Sequence, residues 1–174
     1  MEPVVREPTP DDGPDMGRVH VESWQATYRG DIPDEYLDAL SATERGEQWA
    51  GAIAGTLGPR RMRLVTDGDD GRVSGLCMCG PAAHEGAPDS LGEIYLIYVH
   101  PDHWSSGAGR ALMVAALDFL GSAGFTDAIL WVLPTNDRAC RFYERGGWTR
   151  DGIEKVEELG AAEIPHTRYS ISLS

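Results

Sequence analysis

Residues 93–124, EIYLIYVHPDHWSSGAGRALMVAALDFLGSAG, constrain the fold more than any other part of the chain. The apolar, strand-like run EIYLIYV passes through a short polar loop, with glycines at 107 and 109, into an apolar helix that ends in glycine. Glycines remove side chains where strand turns into helix, so successive backbone amides are exposed at the positive end of a helix dipole. Such a loop suits an anion, although glycines at a strand-to-helix turn also serve purely structural ends. Strand, loop and helix in this order belong to an α/β or α+β architecture.

The rest of the chain agrees with that class. Val4 and Val5 predict a short edge strand before PTPDDGPD, a run of turn formers and acidic residues suited to a helix N-terminus. A helix to about Tyr28 follows, with Met16, Val19, Ser23 and Thr27 at helical spacing and His20, Trp24 and Tyr28 beside them. RGDIPDEYLDALSATERGEQWAGAIAGT reads as a second helical region, in which Ser41 and Glu44 have the spacing of a capping box. RMRLVTD and RVSGLCMCG flank DGDDG as two antiparallel strands flank a tight turn, and PAAHEGAPDSLG reads as an exposed loop. After the glycine-loop helix come a strand, AILWVL, a short helix with a glycine stop, NDRACRFYERGG, and a final alternating strand, HTRYSISLS. The expectation is one domain over residues 1–174, with a mixed sheet flanked by helices and no internal repeat.

Charge and composition exclude several function classes. Fifteen Lys and Arg against 28 Asp and Glu give a formal charge of −13, which opposes a nucleic-acid backbone. Lys155 is the sole lysine among those fifteen, a skew that reads as codon usage rather than selection for guanidinium groups. No run of about 18 apolar residues predicts a membrane span, and the acidic opening MEPVVREPTPDD lacks the order of a secretion signal, so a soluble, cytoplasmic protein is expected. Cys77 and Cys79 fall on one face of a strand and Cys140 on a helix, a pattern of buried thiols without a metal-ligand set. A nucleotide P-loop needs a lysine that the loop lacks, and a dinucleotide fingerprint needs a glycine where Leu112 stands.

IYVHPDHWSSGAGRAL, then a strand, then NDRACRFYERGGW, resembles the GNAT superfamily of acetyl-coenzyme A-dependent N-acetyltransferases, and the likeness extends over almost the whole chain. It implies a mixed, mostly antiparallel central sheet flanked by helices. It also implies that the amides of Ser105, Ser106, Gly107, Ala108, Gly109 and Arg110 cradle the cofactor pyrophosphate, and that backbone at Ile97, Tyr98 and Val99 pairs with the pantetheine arm as an added strand would. Asn136 would hydrogen-bond the pantetheine or its neighbouring backbone, and Tyr143 would protonate the departing thiolate. Trp104 departs from the pattern: it stands where the superfamily usually has Gln or Arg, and Ser106 where Arg or Gly is frequent.

The resemblance implies direct transfer of acetyl to a primary amine, with no metal. Glu93, fourteen residues before Gly107, resembles the spacing of the catalytic carboxylate in the histone-modifying branch, while Trp131 stands where the branch acting on protein N-termini has its carboxylate. His100 and a water chain remain alternative bases. Trp24 and Tyr28 are nominated for the acceptor groove, where aromatic faces suit an amine. The acceptor is a small molecule or a peptide, and dimers are common in the superfamily, which leaves a homodimer open. The alternative to an enzyme is a coenzyme A-binding regulatory or interaction module.

Overall fold

The computed structural model describes residues 2–173. DGDDG forms the expected tight turn, with Gly71 at φ 75°, between strands β2 (Met62–Asp67) and β3 (Val73–Pro81), which pair antiparallel. The short strand β1 (Val5–Arg6) joins the outer side of β2, and β4 (Leu91–Val99) runs antiparallel to β3. Next come β5 (Asp127–Val132), β6 (Thr149–Leu159) and β7 (Ala162–Ser172), giving one seven-stranded sheet in the order β1-β2-β3-β4-β5-β7-β6. Only the β4–β5 contact is parallel; the sheet is mixed and mostly antiparallel, as expected.

That parallel contact is short. It pairs Leu91, Gly92 and Glu93 with Asp127, Ala128 and Ile129, and then stops. Beyond it β4 stays on β3 and β5 stays on β7, so the two halves of the sheet part. Tyr95 forms a bulge at the start of the opening, since Ile94 lies opposite Cys79 and Leu96 opposite Met78. Ile94 is buried, whereas Leu96, Ile97, Tyr98 and Val99 are only half-buried because no β5 backbone covers them.

Helices cover both faces. Helix α4 (Ala108–Ser122) buries Leu112, Ala116 and Leu120 against Leu64, Cys77, Cys79 and Ile94 on one face, each full leucine burial contributing roughly 1.5–3 kcal/mol. Helices α1 (Gly13–Tyr28) and α3 (Ala42–Ala54) cover the other with Met16, Val19 and Trp49 over Val65, Val73 and Leu76. The second helical region is interrupted: α2 (Asp34–Asp38) ends before Ser41, whose side chain accepts the Glu44 N–H and starts α3. Helix α5 (Asp137–Arg145) follows β5 and ends at a glycine pair, Gly146 and Gly147. Among the described residues no helix is long and apolar enough to cross a membrane.

Glycines set how closely α1 and α3 approach. A Cβ on Gly17 would lie 2.3 Å from the Ala42 carbonyl oxygen and 2.4 Å from the Gly46 nitrogen, both backbone atoms that cannot swing aside. Gly17→Ala is therefore expected to force the helices apart at a cost of about 1–3 kcal/mol or more, seen as a lower urea midpoint with unchanged m-value. Full stability in the variant would contradict the crossing.

One strand was not read from the sequence. Residues of β6 are exposed along nearly its whole length and a bulge between Arg150 and Glu154, with Gly152 at φ 84°, breaks its alternation. Strand β7 also begins at Ala162, ahead of the HTRYSISLS run, because its first residues pair with β6 rather than with the core strand β5.

Candidate active site

The glycine loop opens α4 at the edge of the parted sheet. Gly107 is the N-cap, in the left-handed region at φ 92°, and Ser105 is also left-handed at φ 65°. The Ser106 amide, expected in the cradle, is spent within the loop, its N–H donating to the His103 carbonyl at 3.2 Å. The N–H groups of Ser105, Gly107, Gly109 and Arg110 have no acceptor among the described residues, while Ala108 N–H bonds the Ser106 hydroxyl at 3.3 Å. Four free donors at the start of a fifteen-residue helix make a cradle for an anion such as a pyrophosphate. Among the described residues only Pro3 lies near the face on which a Gly107 Cβ would project, at 3.8 Å.

From this cradle a groove of about 790 Å³ runs between α4 and α5, lined by Ile97, Val99, Trp104, Phe142 and Tyr143 among others. Trp104 does not leave a gap where a polar side chain is usual. Its Nε1 donates to the Val99 carbonyl at 2.9 Å, and its ring carries the Arg138 guanidinium 3.2 Å from the centroid. Arg138 makes no hydrogen bond or ion pair with the described residues, so its N–H donors are free at the groove wall. The sequence reading missed Arg138; its place two residues after Asn136, on the first turn of α5, was the available signal. The same Trp104 bond engages the Val99 carbonyl, which narrows the expected strand-like pairing along Ile97, Tyr98 and Val99.

Asn136 caps α5, its Oδ1 accepting the Ala139 N–H at 3.1 Å. About two turns after this cap, Tyr143 is buried and ringed by Phe142, Trp148 and Tyr169 at centroid distances of 5.5, 6.3 and 6.0 Å. Burial pushes its phenol well above the ordinary range, with smaller contributions in the same direction from Tyr28, Cys77, Tyr98 and Cys140. It is a neutral phenol near neutral pH.

A second cavity, of about 310 Å³, fills the opening between β4 and β5 on the α1 side. Trp24 and Tyr28, the two aromatics nominated from the sequence for an acceptor groove, line this cavity from α1, their rings edge to face at 5.0 Å. The Trp24 indole N–H is buried with no hydrogen-bond partner. Opposite them, Trp131 from β5 and Lys155, Glu157 and His166 from the β6–β7 pair complete the wall, none of them nominated as acceptor residues from the sequence. Lys155 lies opposite His166 in the register and pairs with Glu157 at 2.6 Å. The two cavities share Ile97, Val99, Arg138, Ala139 and Tyr143 in their walls and so adjoin across these residues.

The two candidate bases differ in placement. Glu93 lines the second cavity, buried, with Oε2 accepting the Ala83 N–H at 2.8 Å. His100 lines neither cavity: Nε2 is bonded to Glu22, and Nδ1 accepts the Asp102 N–H at 3.2 Å as the cap of a short helical turn. Among the described residues no group of three or more His, Cys, Asp or Glu side chains is placed to hold a metal.

A family model described as the acetyltransferase (GNAT) family matches residues 20–148, a span that contains the cradle, Trp104 and all of α5. The chain belongs to the GNAT family. An uncharacterized N-acetyltransferase of Bacillus subtilis (strain 168), YuaI, is 34% identical over 134 residues, covering 76% of this chain and 73% of that protein. Mycothiol acetyltransferase of Acidimicrobium ferrooxidans is 36% identical over 137 residues, 78% of this chain but only 41% of that protein. Among solved structures, the PaiA N-acetyltransferase of Thermoplasma acidophilum in complex with coenzyme A superposes with a TM-score of 0.69 at 20% identity, covering 96% of this chain and 98% of that one. YncA of Salmonella typhimurium, solved with its cofactor acetyl-CoA, gives 0.72 at 19% identity, covering 100% and 95%. At these identities the structural likeness is one of fold. The protein is thus a GNAT-type N-acetyltransferase, an acyltransferase.

Proposed function

We propose that this GNAT protein transfers acetyl from acetyl-CoA directly to a primary amine that enters through the α1-side cavity. The observation that carries the reading is the junction of the two cavities at Ile97, Val99, Arg138, Ala139 and Tyr143, where a thioester lying in one would meet an amine entering from the other. The free amides of Ser105, Gly107, Gly109 and Arg110 fit a pyrophosphate, and Arg138 brings a positive charge to the side where Trp104 replaces the usual Gln or Arg. Asn136 uses its oxygen as a cap, which leaves its amide N–H groups for a pantetheine carbonyl. Acetyl-CoA supplies an acyl group activated as a thioester.

Tyr143 gives its proton to the departing sulfur, a role that a buried neutral phenol can fill without first being charged. Glu93 is assigned to the floor of the acceptor side, where its bond to Ala83 N–H fixes the loop after β3. Trp24, Tyr28 and Trp131 give the acceptor aromatic walls, suited to a small amine or to the end of a peptide. The test is thiol release from acetyl-CoA across a panel of a tripeptide with a free N-terminus, free amino acids, spermidine, 2-phenylethylamine and an aminoglycoside. Amine-dependent release with at least one of them is expected; binding of acetyl-CoA without any release would favour a coenzyme A-binding module instead.

A further inference from the structure

Two carboxylates and one imidazole line the acceptor cavity, and both carboxylates are already engaged. Glu93 holds the Ala83 N–H at 2.8 Å, and Glu157 holds the Lys155 ammonium at 2.6 Å. The third is His166, on β7, half-buried in the cavity wall. Its Nδ1 lies 3.1 Å from the Ile164 carbonyl oxygen. A carbonyl oxygen only accepts, so Nδ1 carries the hydrogen and Nε2 is left with a bare lone pair. Nε2 has no partner among the described residues.

We propose that His166 Nε2 takes the proton from the acceptor ammonium, making it the general base of the transfer, with its tautomer set by the Ile164 carbonyl. The proposal rests on the primary-amine reading above. The ammonium N–H bond breaks and an N–H bond forms at Nε2, leaving a neutral amine and an imidazolium. The amine lone pair then forms the N–C bond to the thioester carbonyl carbon, and the C–S bond breaks with its electron pair on sulfur. Sulfur takes the Tyr143 proton, Tyr143 regains one from the newly acylated nitrogen, and the imidazolium releases its own to solvent. The products are one amide, one thiol and one proton.

The surroundings keep the imidazole neutral until it is used. Burial pulls its pKa below the ordinary value; Glu157 and the Ile164 carbonyl oppose this, and Lys155, directly across the strand pair, adds to it. The other charged or titratable groups lining the cavity are Tyr28 from α1, Glu93, Tyr95 and Tyr98 from β4, and Arg138 and Tyr143 from α5. A base whose pKa lies below the ordinary imidazole value is mostly neutral at pH 7 and is lost as pH falls.

Two measurements test this. Long-range 1H–15N spectra of the imidazoles in the wild-type protein should show His166 protonated at Nδ1, bare at Nε2 and neutral at pH 7; an Nε2–H tautomer would overturn the proposal without any variant being made. Second, His166→Gln should lower kcat/KM at pH 7 by about 10²-fold for whichever panel amine turns over fastest, with acetyl-CoA affinity unchanged by calorimetry. The deficit should shrink toward the pH at which the amine is itself neutral, and the acid limb of the wild-type profile should disappear. A deficit equal at every pH, or none, would assign His166 to packing and leave the acetyltransferase reading intact. Should no amine turn over, the primary-amine reading fails, and with it the base role that rests on it, whatever tautomer the spectra show.

Discussion

Tyr143→Phe is expected to lower kcat by about 10²-fold or more while coenzyme A affinity stays within about threefold, under roughly 0.7 kcal/mol. The ring would keep its contacts with Phe142, Trp148 and Tyr169, and the lost hydroxyl hydrogen-bonds none of the described residues, so the fold has little reason to change. What is removed is a proton donor at the junction of the two cavities. Because burial holds the phenol above its ordinary range, Tyr143 remains protonated on both sides of neutrality and adds no limb to the pH profile there. Steady-state kinetics alongside calorimetry with coenzyme A separates the two effects. Equal turnover in the variant would remove Tyr143 from the chemistry, and a matched loss of affinity would make it a binding residue.

Gly107→Val should do the reverse. At φ 92° a β-branched side chain costs on the order of 1–3 kcal/mol of strain, and relieving that strain rotates the amides that form the cradle. The branched side chain would also press toward Pro3, 3.8 Å from the first added carbon. Coenzyme A affinity is expected to fall about tenfold to a hundredfold, with a smaller change in kcat at saturating acetyl-CoA, since Tyr143 and the acceptor cavity are untouched. Unchanged affinity by calorimetry would contradict the assignment of the loop to the pyrophosphate. Together, the two results would place binding at the cradle and chemistry in the second turn of α5.

Much of this was legible in the order of residues. The glycine loop between EIYLIYV and RALMVAALDFLGSAG announced a strand feeding a helix, and Asn136 to Tyr143 announced the helix that faces it, because both depend on local chemistry: φ, capping and apolar period. Trp24 and Tyr28 were legible as aromatics near a helix end, and the structure puts both on the α1-side cavity. What stayed hidden depends on pairing across the sheet. His166, Lys155 and Glu157 face the cavity only because β6 and β7 pair in one register, and β6 itself carries no apolar alternation that a period can detect. The parting of β4 from β5 is likewise a matter of where hydrogen bonding stops, at Glu93 and Ile129, which no single strand encodes. Trp104 read as the loss of a polar contact. Its partner Arg138, thirty-four positions away, shows it instead as the platform that holds a guanidinium over the groove.

Calorimetric titration of the wild-type protein with acetyl-CoA, coenzyme A and NADH tests the central assignment most directly, since all three carry a pyrophosphate and only the first two carry a pantetheine arm. Saturable binding of acetyl-CoA and coenzyme A, with none of NADH, is the result predicted by a cradle that leads into the groove between α4 and α5. No binding of either coenzyme, or equal binding of NADH, would contradict it.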